Sequence, residues 1–267
     1  MFKVWTAERV ERGVQYVVGQ HGNNYGTHRY INPSVEEATS DKFITWGWSG
    51  HLPQHVSGFN LKLPAKSQLH ADPQGGLLLS EVWAGHRTTT WDNSQQFLDY
   101  LRDQFAFVGG LSPSVRSRLS VRLHHDWARL DWNEPQRWKQ YAPDLELDYG
   151  FESIRSKIGR ARLIVHSYDS TGMLETLAQG IPTLAFWQNR FGHLRDEVRA
   201  DYQRLVDVGI VHLRADTAAA TVNENWDRLD EWWGEEKRRA AVRGFCEKYS
   251  RRSFNPASEM VRILLND

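Results

Sequence analysis

The sequence predicts an α/β protein in which helices cover a parallel sheet, and two observations carry this. From residue 75 onward, short apolar runs alternate with stretches of helical periodicity, joined by short polar loops. Residues 163–187, LIVHSYDSTGMLETLAQGIPTLAFW, hold one complete unit of that alternation. The run Leu163-Ile164-Val165 reads as a strand. Met173, Leu174, Leu177 and Ala178 then recur at helical spacing, Gly180 and Pro182 punctuate, and Thr183 to Phe186 reads as the next strand. The loop between strand and helix, His166 to Gly172, is rich in hydroxyls and opens a helix. The free N–H groups and dipole there favour an anion. Ser170 or Thr171 is suited to cap the helix, and Glu175, one turn in, could reach a ribose diol. Taken alone, the same loop also reads as an ordinary strand-to-helix turn.

The elements follow in order. Leu77–Trp83 reads as a strand and Asn93–Phe107 as a helix, with Phe97, Leu98, Leu101 and Phe105 on one face. Leu119–Leu123 is a strand, Pro135–Tyr141 a short helix with proline in its first turn, Leu145–Leu147 a short strand, and Phe151–Ile158 a helix. After the unit at 163–187, Leu194–Val208 is an amphipathic helix and Ile210–Leu213 a strand. Asn223–Trp233, Glu235–Tyr249 and Pro256–Leu265 are helical. The pattern gives a doubly wound, Rossmann-like domain of about six parallel strands over residues 75–267. Residues 1–74 differ. Val14–Val18 and Lys42–Trp46 read as strands around a loop, GQHGNNYG (19–26), with three glycines in eight residues. Such a loop permits tight turns and close approach of backbone to a ligand. The segment is too short for a second domain of the same kind, and Pro53–Pro73 reads as a linker.

Composition removes several function classes. Lys plus Arg balance Asp plus Glu at 33 each, so no bulk positive field argues for nucleic acid. The one cysteine, Cys246, excludes an intramolecular disulfide, fits a reducing compartment, and falls in a predicted helix as core. Residues 1–12 are polar and charged, unlike a secretory leader, and no run approaches the roughly 18 apolar residues of a membrane span. A cytoplasmic protein is expected. The chain holds 12 tryptophans, many beside charges, as in Trp91-Asp92, Asp126-Trp127, Asp131-Trp132 and Trp232-Trp233. They suit either amphipathic packing or platforms for sugar rings.

Individual residues then suggest chemistry. His21 follows an apolar strand in the glycine-rich loop, where a histidine could act as general acid or base, or simply hold the loop backbone. Asp41 precedes Lys42-Phe43-Ile44-Thr45-Trp46; it could be a catalytic carboxylate or a backbone acceptor at the strand's start. Arg122, in VRLHHDW (121–127), ends a predicted buried strand. A charge there must pair with another charge or face a ligand, and the guanidinium fork suits a phosphate. His124-His125-Asp126 invites a metal, but adjacent residues on a strand point to opposite faces and no cysteine accompanies them, so no metal site is expected. No Walker motif, GxSxG elbow or GxGxxG is present, which leaves kinase, α/β-hydrolase and dinucleotide-dehydrogenase readings without support.

In combination, GQHGNNYG (19–26), SDKFITWGW (40–48), VRLHHDW (121–127), HSYDSTGMLETLAQGIPTLAFW (166–187), DVGIVH (207–212) and EWW (231–233) resemble a family of bacterial surface-carbohydrate transferases. That family is similar to the Kdo transferase module of lipopolysaccharide O-antigen enzymes, which takes Kdo from CMP-Kdo. A more distant likeness runs to the glycerophosphotransferases of teichoic-acid synthesis, which also carry an early HG loop and a later hydroxyl-rich loop. The resemblance covers roughly residues 14 to 250. It implies a GT-B arrangement, in which 75–267 is the nucleotide-sugar-binding domain and 1–74 the remnant of a truncated N-terminal domain. It implies a transferase that moves Kdo or a related ulosonic acid from a CMP donor to a surface glycan, the acceptor being lipid-linked. It implies a cytoplasmic enzyme peripheral to the inner membrane, without cofactor or metal. The alternatives are a nucleotide-sugar-binding module without turnover and a CDP-alcohol phosphotransferase. His21 and Asp41 are implied as catalytic residues that face the 166–171 loop across a cleft. Arg122, His166, Ser167, Ser170, Thr171 and Glu175 are implied as donor-binding. His166 stands where the family more usually has a small or hydroxyl residue, which bears on donor contacts. Such enzymes usually run well beyond 267 residues, so a missing domain or a partner chain is part of the expectation.

Overall fold

The computed structural model describes residues 2–265 except 32, 51, 67–68, 83–96, 130–131 and 189. Nine strands among these form two wholly parallel sheets. Strands β1 (Val17–Gly19), β2 (Lys42–Thr45) and β3 (His55–Ser57) form the first, in that spatial order. Strands β4 (Gly76–Ser80), β5 (Leu119–Arg122), β6 (Glu146–Asp148), β7 (Ala161–His166), β8 (Thr183–Phe186) and β9 (Val211–His212) form the second, in the order β6-β5-β4-β7-β8-β9. The chain starts at β4, steps outward to β5 and β6, then returns to lay β7 on the other side of β4. The sheet is therefore doubly wound, and the direction of winding reverses between β4 and β7, where open α/β sheets leave a crevice at their carboxyl ends. The expected six parallel strands are all present.

Burial explains the strand sequences. β8 is buried at every position and β7 at all but one, as befits central strands covered by helices on both faces. Leu77 and Leu79 of β4, Val121 of β5, Val165 of β7 and Phe186 of β8 are at most 1% exposed. They belong to one apolar cluster that also takes in Tyr25, Phe43, Trp46 and Trp48 from the N-terminal segment. The opposite face of the first sheet, Ile44 with Phe59, packs on Ile263 of the helix Pro256–Leu265. Trp46, Trp138 and Trp187 are fully buried, and each indole N–H donates to an oxygen: the carbonyls of Gln20 and Arg190 for Trp46 and Trp187, the Glu81 carboxyl for Trp138. Packing with satisfied N–H groups accounts for these three.

Several elements differ from the sequence reading. The expected linker 53–73 contains β3, three residues with no alternation long enough to read. A helix spans Phe2–Glu11, yet buries none of its residues, so no apolar stripe announced it. A short helix, Pro113–Arg116, was not foreseen either. The strand expected at 14–18 is Val17–Gly19. The helix expected at 194–208 begins as a 3₁₀ turn and becomes Arg199–Asp207. The helix Ala215–Asn225 starts before the expected 223 and buries Ala215, Ala218, Ala219 and Val222, a stripe of small residues too weakly apolar to mark a helix face. The helix Phe97–Gly110 is as expected in type; the expected start at 93, the end of the first strand at Trp83, and Trp91-Asp92 lie outside the described residues.

Candidate functional site

At the carboxyl ends of β4, β5 and β7 lies a cavity of about 390 Å³. Ser80 and Glu81 contribute from the end of β4 and the residue after it, Arg122, His124 and His125 from the end of β5 and the turn beyond, and His166, Tyr168 and Gly172 from the end of β7, its loop and the helix that follows. Glu175 and Thr176 of the helix Thr171–Ala178 also line it, as does Arg155. A smaller cavity of about 210 Å³ shares His124 and Tyr168 with the first and continues over Ser170 and Thr171 to Asn23 and Asn24 of the N-terminal loop. The cleft thus sits in the crevice where the winding reverses.

The loop after β7 is built by its own hydroxyls. Ser170 is the N-cap of the helix Thr171–Ala178: its Oγ accepts from Met173 N at 2.8 Å. The same Oγ lies 3.2 Å from His166 Nδ1, and His166 Nε2 lies 3.3 Å from Thr176 Oγ1. Burial pushes the His166 imidazole down to about 3, so it is neutral at physiological pH. Ser167 Oγ donates to Ser80 O at 3.0 Å and lies 2.6 Å from the Tyr100 hydroxyl, which ties the ends of β4 and β7 together. Thr171 Oγ1 accepts from Asn23 N at 2.9 Å. A Cβ on Gly22 would stand 3.3 Å from that Thr171 hydroxyl, so the N-terminal loop approaches closely because glycine is there.

Arg122 lines the cavity but is already engaged. Its Nη1 donates to Asp148 Oδ2 at 2.6 Å and its Nη2 to Glu152 O at 2.8 Å. Glu175 pairs with Lys62 at 2.9 Å, both partly exposed. His124-His125-Asp126 lie past the end of β5, where strand alternation no longer applies, and their ligating atoms come within 4.8 Å of one another. The three side chains of this turn therefore do not alternate between opposite faces. Burial, and then the neighbouring His125, lower the His124 imidazole.

The structure does not bring His21 and Asp41 together over the 166–171 loop. His21 is exposed; its Nε2 lies 2.6 Å from the Tyr25 hydroxyl and 3.3 Å from Glu36 Oε2. Its neighbours Gly22 and Asn23 are the ones that touch Thr171. Asp41 is exposed as well, and its Oδ2 accepts from Tyr16 N at 2.6 Å, at the start of the first sheet. Neither side chain lines the cavities over the crevice.

Two groups escaped the sequence reading. Glu81 directly follows β4, lines the crevice cavity and is 2% exposed. Burial, then the charge of Glu134 and a hydrogen bond with it, raise its carboxyl well above the usual range; Trp138 Nε1 donates to its Oε2 at 3.3 Å. Two carboxyls can share a hydrogen bond only if a proton lies between them. The signal was the one used for Arg122, a charge immediately after an apolar strand. The second is Asp169, which lies among the hydroxyls of the 166–172 loop. Its carboxylate receives Asn23 Nδ2 on Oδ1 at 2.7 Å and Tyr202 Oη on Oδ2 at 2.9 Å, with two histidines beside it.

A doubly wound sheet with a polar crevice where its winding reverses is a scaffold for binding a small ligand. The chain matches the LIC12162 family transferase over residues 1–264 and belongs to that family; it is a transferase. No curated protein matches it. Among solved structures it is similar to the wall teichoic acid polymerase TagF, at 12% identity and a TM-score of 0.46, over 94% of this chain and 67% of the polymerase. A histidine-to-asparagine variant of that polymerase soaked with CDPG is similar at 10% identity and a TM-score of 0.44, over 95% of this chain and 67% of the other.

Proposed function

We propose that this transferase moves Kdo or a related ulosonic acid from a CMP-activated donor to a lipid-linked bacterial surface glycan. The observation that carries the reading is the cavity at the carboxyl ends of β4, β5 and β7, lined by Arg122, His124, His125 and Arg155. As the bond from the sugar to the nucleotide phosphate breaks, negative charge grows on the departing phosphate. Guanidinium groups and the N–H groups opening the helix Thr171–Ala178 stabilise that charge. Arg122, His166, Ser167, Ser170 and Thr171 hold the phosphate end, and Glu175 releases Lys62 to accept from the ribose hydroxyls. Of the two N-terminal candidates, the reading keeps His21 for proton transfer at the acceptor, because the loop that carries it abuts Thr171 through Gly22 and Asn23. Asp41 stays with the Tyr16 backbone.

The same contact between an early HG loop and a hydroxyl-rich loop favours a second reading, phosphoalcohol transfer from a CDP-alcohol. Titration calorimetry of the chain with CMP, UMP and GMP tests the cytidine donor common to both. Binding of CMP alone is expected; equal binding of all three, or of none, removes it. Release of CMP from CMP-Kdo against CDP-glycerol, with a glycan acceptor present, separates the two readings.

A further inference from the structure

His28, Asp169 and His193 come from three loops, after β1, β7 and β8, and meet in the interior. Their side chains are 3%, 0% and 0% exposed. One ligating atom from each lies within 4.8 Å of the other two. His193 Nε2 is 3.2 Å and His28 Nε2 3.4 Å from the same oxygen, Asp169 Oδ2. A charge-assisted N–H···O bond settles at about 2.7–2.9 Å. Two donor atoms bound tetrahedrally to one ion at about 2.0–2.1 Å stand about 3.3 Å apart. The observed separations match the second figure better than the first.

The backbone presents these side chains in advance. His28 and Leu194 form an antiparallel bridge, Arg29 N donates to His193 O at 2.9 Å, and Arg195 N donates to Thr27 O at 2.9 Å. The two imidazoles meet edge to face, with centroids 4.9 Å apart. The Tyr202 hydroxyl donates to the same Asp169 oxygen at 2.9 Å. Asp169 also lines the smaller cavity with Asn23, Tyr168 and Thr171.

We propose that His28, Asp169 and His193 form a binding site for a divalent transition-metal ion, zinc being the one their two imidazoles and single carboxylate suit. The ion would clip His28 and Asp169, 141 residues apart in sequence, and His193, 24 further on. Its role is structural: it fixes the loop that starts the helix Thr171–Ala178 against the N-terminal segment. Because it binds the folded chain and not the unfolded one, it raises the unfolding temperature.

The test is metal content and thermal unfolding of the full chain. After desalting, elemental analysis should find about one zinc per chain. Chelator should lower Tm by several degrees, and ZnCl₂ should restore it. His193→Gln and Asp169→Asn should lose the zinc, while His125→Ala, which alters the exposed histidine turn, should keep it. Should those variants fail to fold, Co²⁺ added to the chelated wild-type chain should still give the visible absorption of a tetrahedral site. A metal-free chain whose Tm ignores ZnCl₂ and which gives no cobalt band would overturn the site and leave a hydrogen-bonded hub. Zinc retained by both His193→Gln and Asp169→Asn would overturn it equally.

Discussion

At the scale of residues, the interior stores protonation states that differ from those of the unfolded chain. His166 is held down to about 3 and His212 to about 4, in both cases by burial. Unfolded, each imidazole takes up a proton below about pH 6.5, whereas the folded chain refuses it. Their stabilisation is complete above that pH and is lost as pH falls toward 4, by about 1.4 kcal/mol per unit for each. Urea unfolding between pH 7 and 4.5 should show the decline, and His212→Gln should flatten it. Glu81 works in the opposite direction. Its folded carboxyl is raised, so its contribution is complete below the unfolded value near 4.3 and is lost as pH rises through the folded value. Glu81→Gln, which keeps the shape without the titration, should therefore gain stability relative to wild type between pH 5 and 8. An identical pH slope in the two proteins would show that Glu81 ionises normally. For ligand binding, Glu175→Ala should weaken CMP by about 1–3 kcal/mol, the range for a hydrogen bond to a charged group, measured by calorimetry.

At the scale of elements, the unit from β7 through the helix Thr171–Ala178 to β8 was legible because each boundary has a chemical mark. These are the end of the apolar run at Val165, the Ser170 cap, and the Gly180 and Pro182 stop. Ser170→Ala should cost about 1 kcal/mol through the lost cap, read as a lower Tm, with a larger loss if the His166 contact matters too. Elements without such marks were missed. β3 has three residues, and the helix Phe2–Glu11 buries nothing, so neither periodicity nor burial left a trace in the sequence. The site was legible to the same degree. Arg122 and the 166–172 loop announced themselves by position at strand ends. The partners that decide their chemistry, Asp148 for Arg122, Glu134 for Glu81 and Lys62 for Glu175, lie 26 or more residues away in sequence. Only the tertiary fold brings them near.

At the scale of the molecule, the two sheets share one apolar cluster in which Phe43, Trp46 and Trp48 join Leu77 and Leu79 of β4. Heating should then unfold both sheets in one transition, with equal calorimetric and van't Hoff enthalpies; two resolved transitions would divide the chain at about residue 75. Gly26 guards this junction. Its φ is +70°, and a Cβ there would stand 2.6 Å from the Trp48 ring, so Gly26→Ala should lower Tm sharply while the distant Gly234→Ala does not.

The packing of Ile263 against Ile44 and Phe59 also sets an order of events during synthesis. A ribosome delivers β1 to β3 before the second sheet, but their second apolar face has no cover until residues 256–265 have been made. Of the two sheets, the one made earlier is thus the one finished later. Nascent chains arrested before residue 256 should thus stay open to protease around Ile44 and recruit chaperones, and emergence of the helix Pro256–Leu265 from the exit tunnel should end both together.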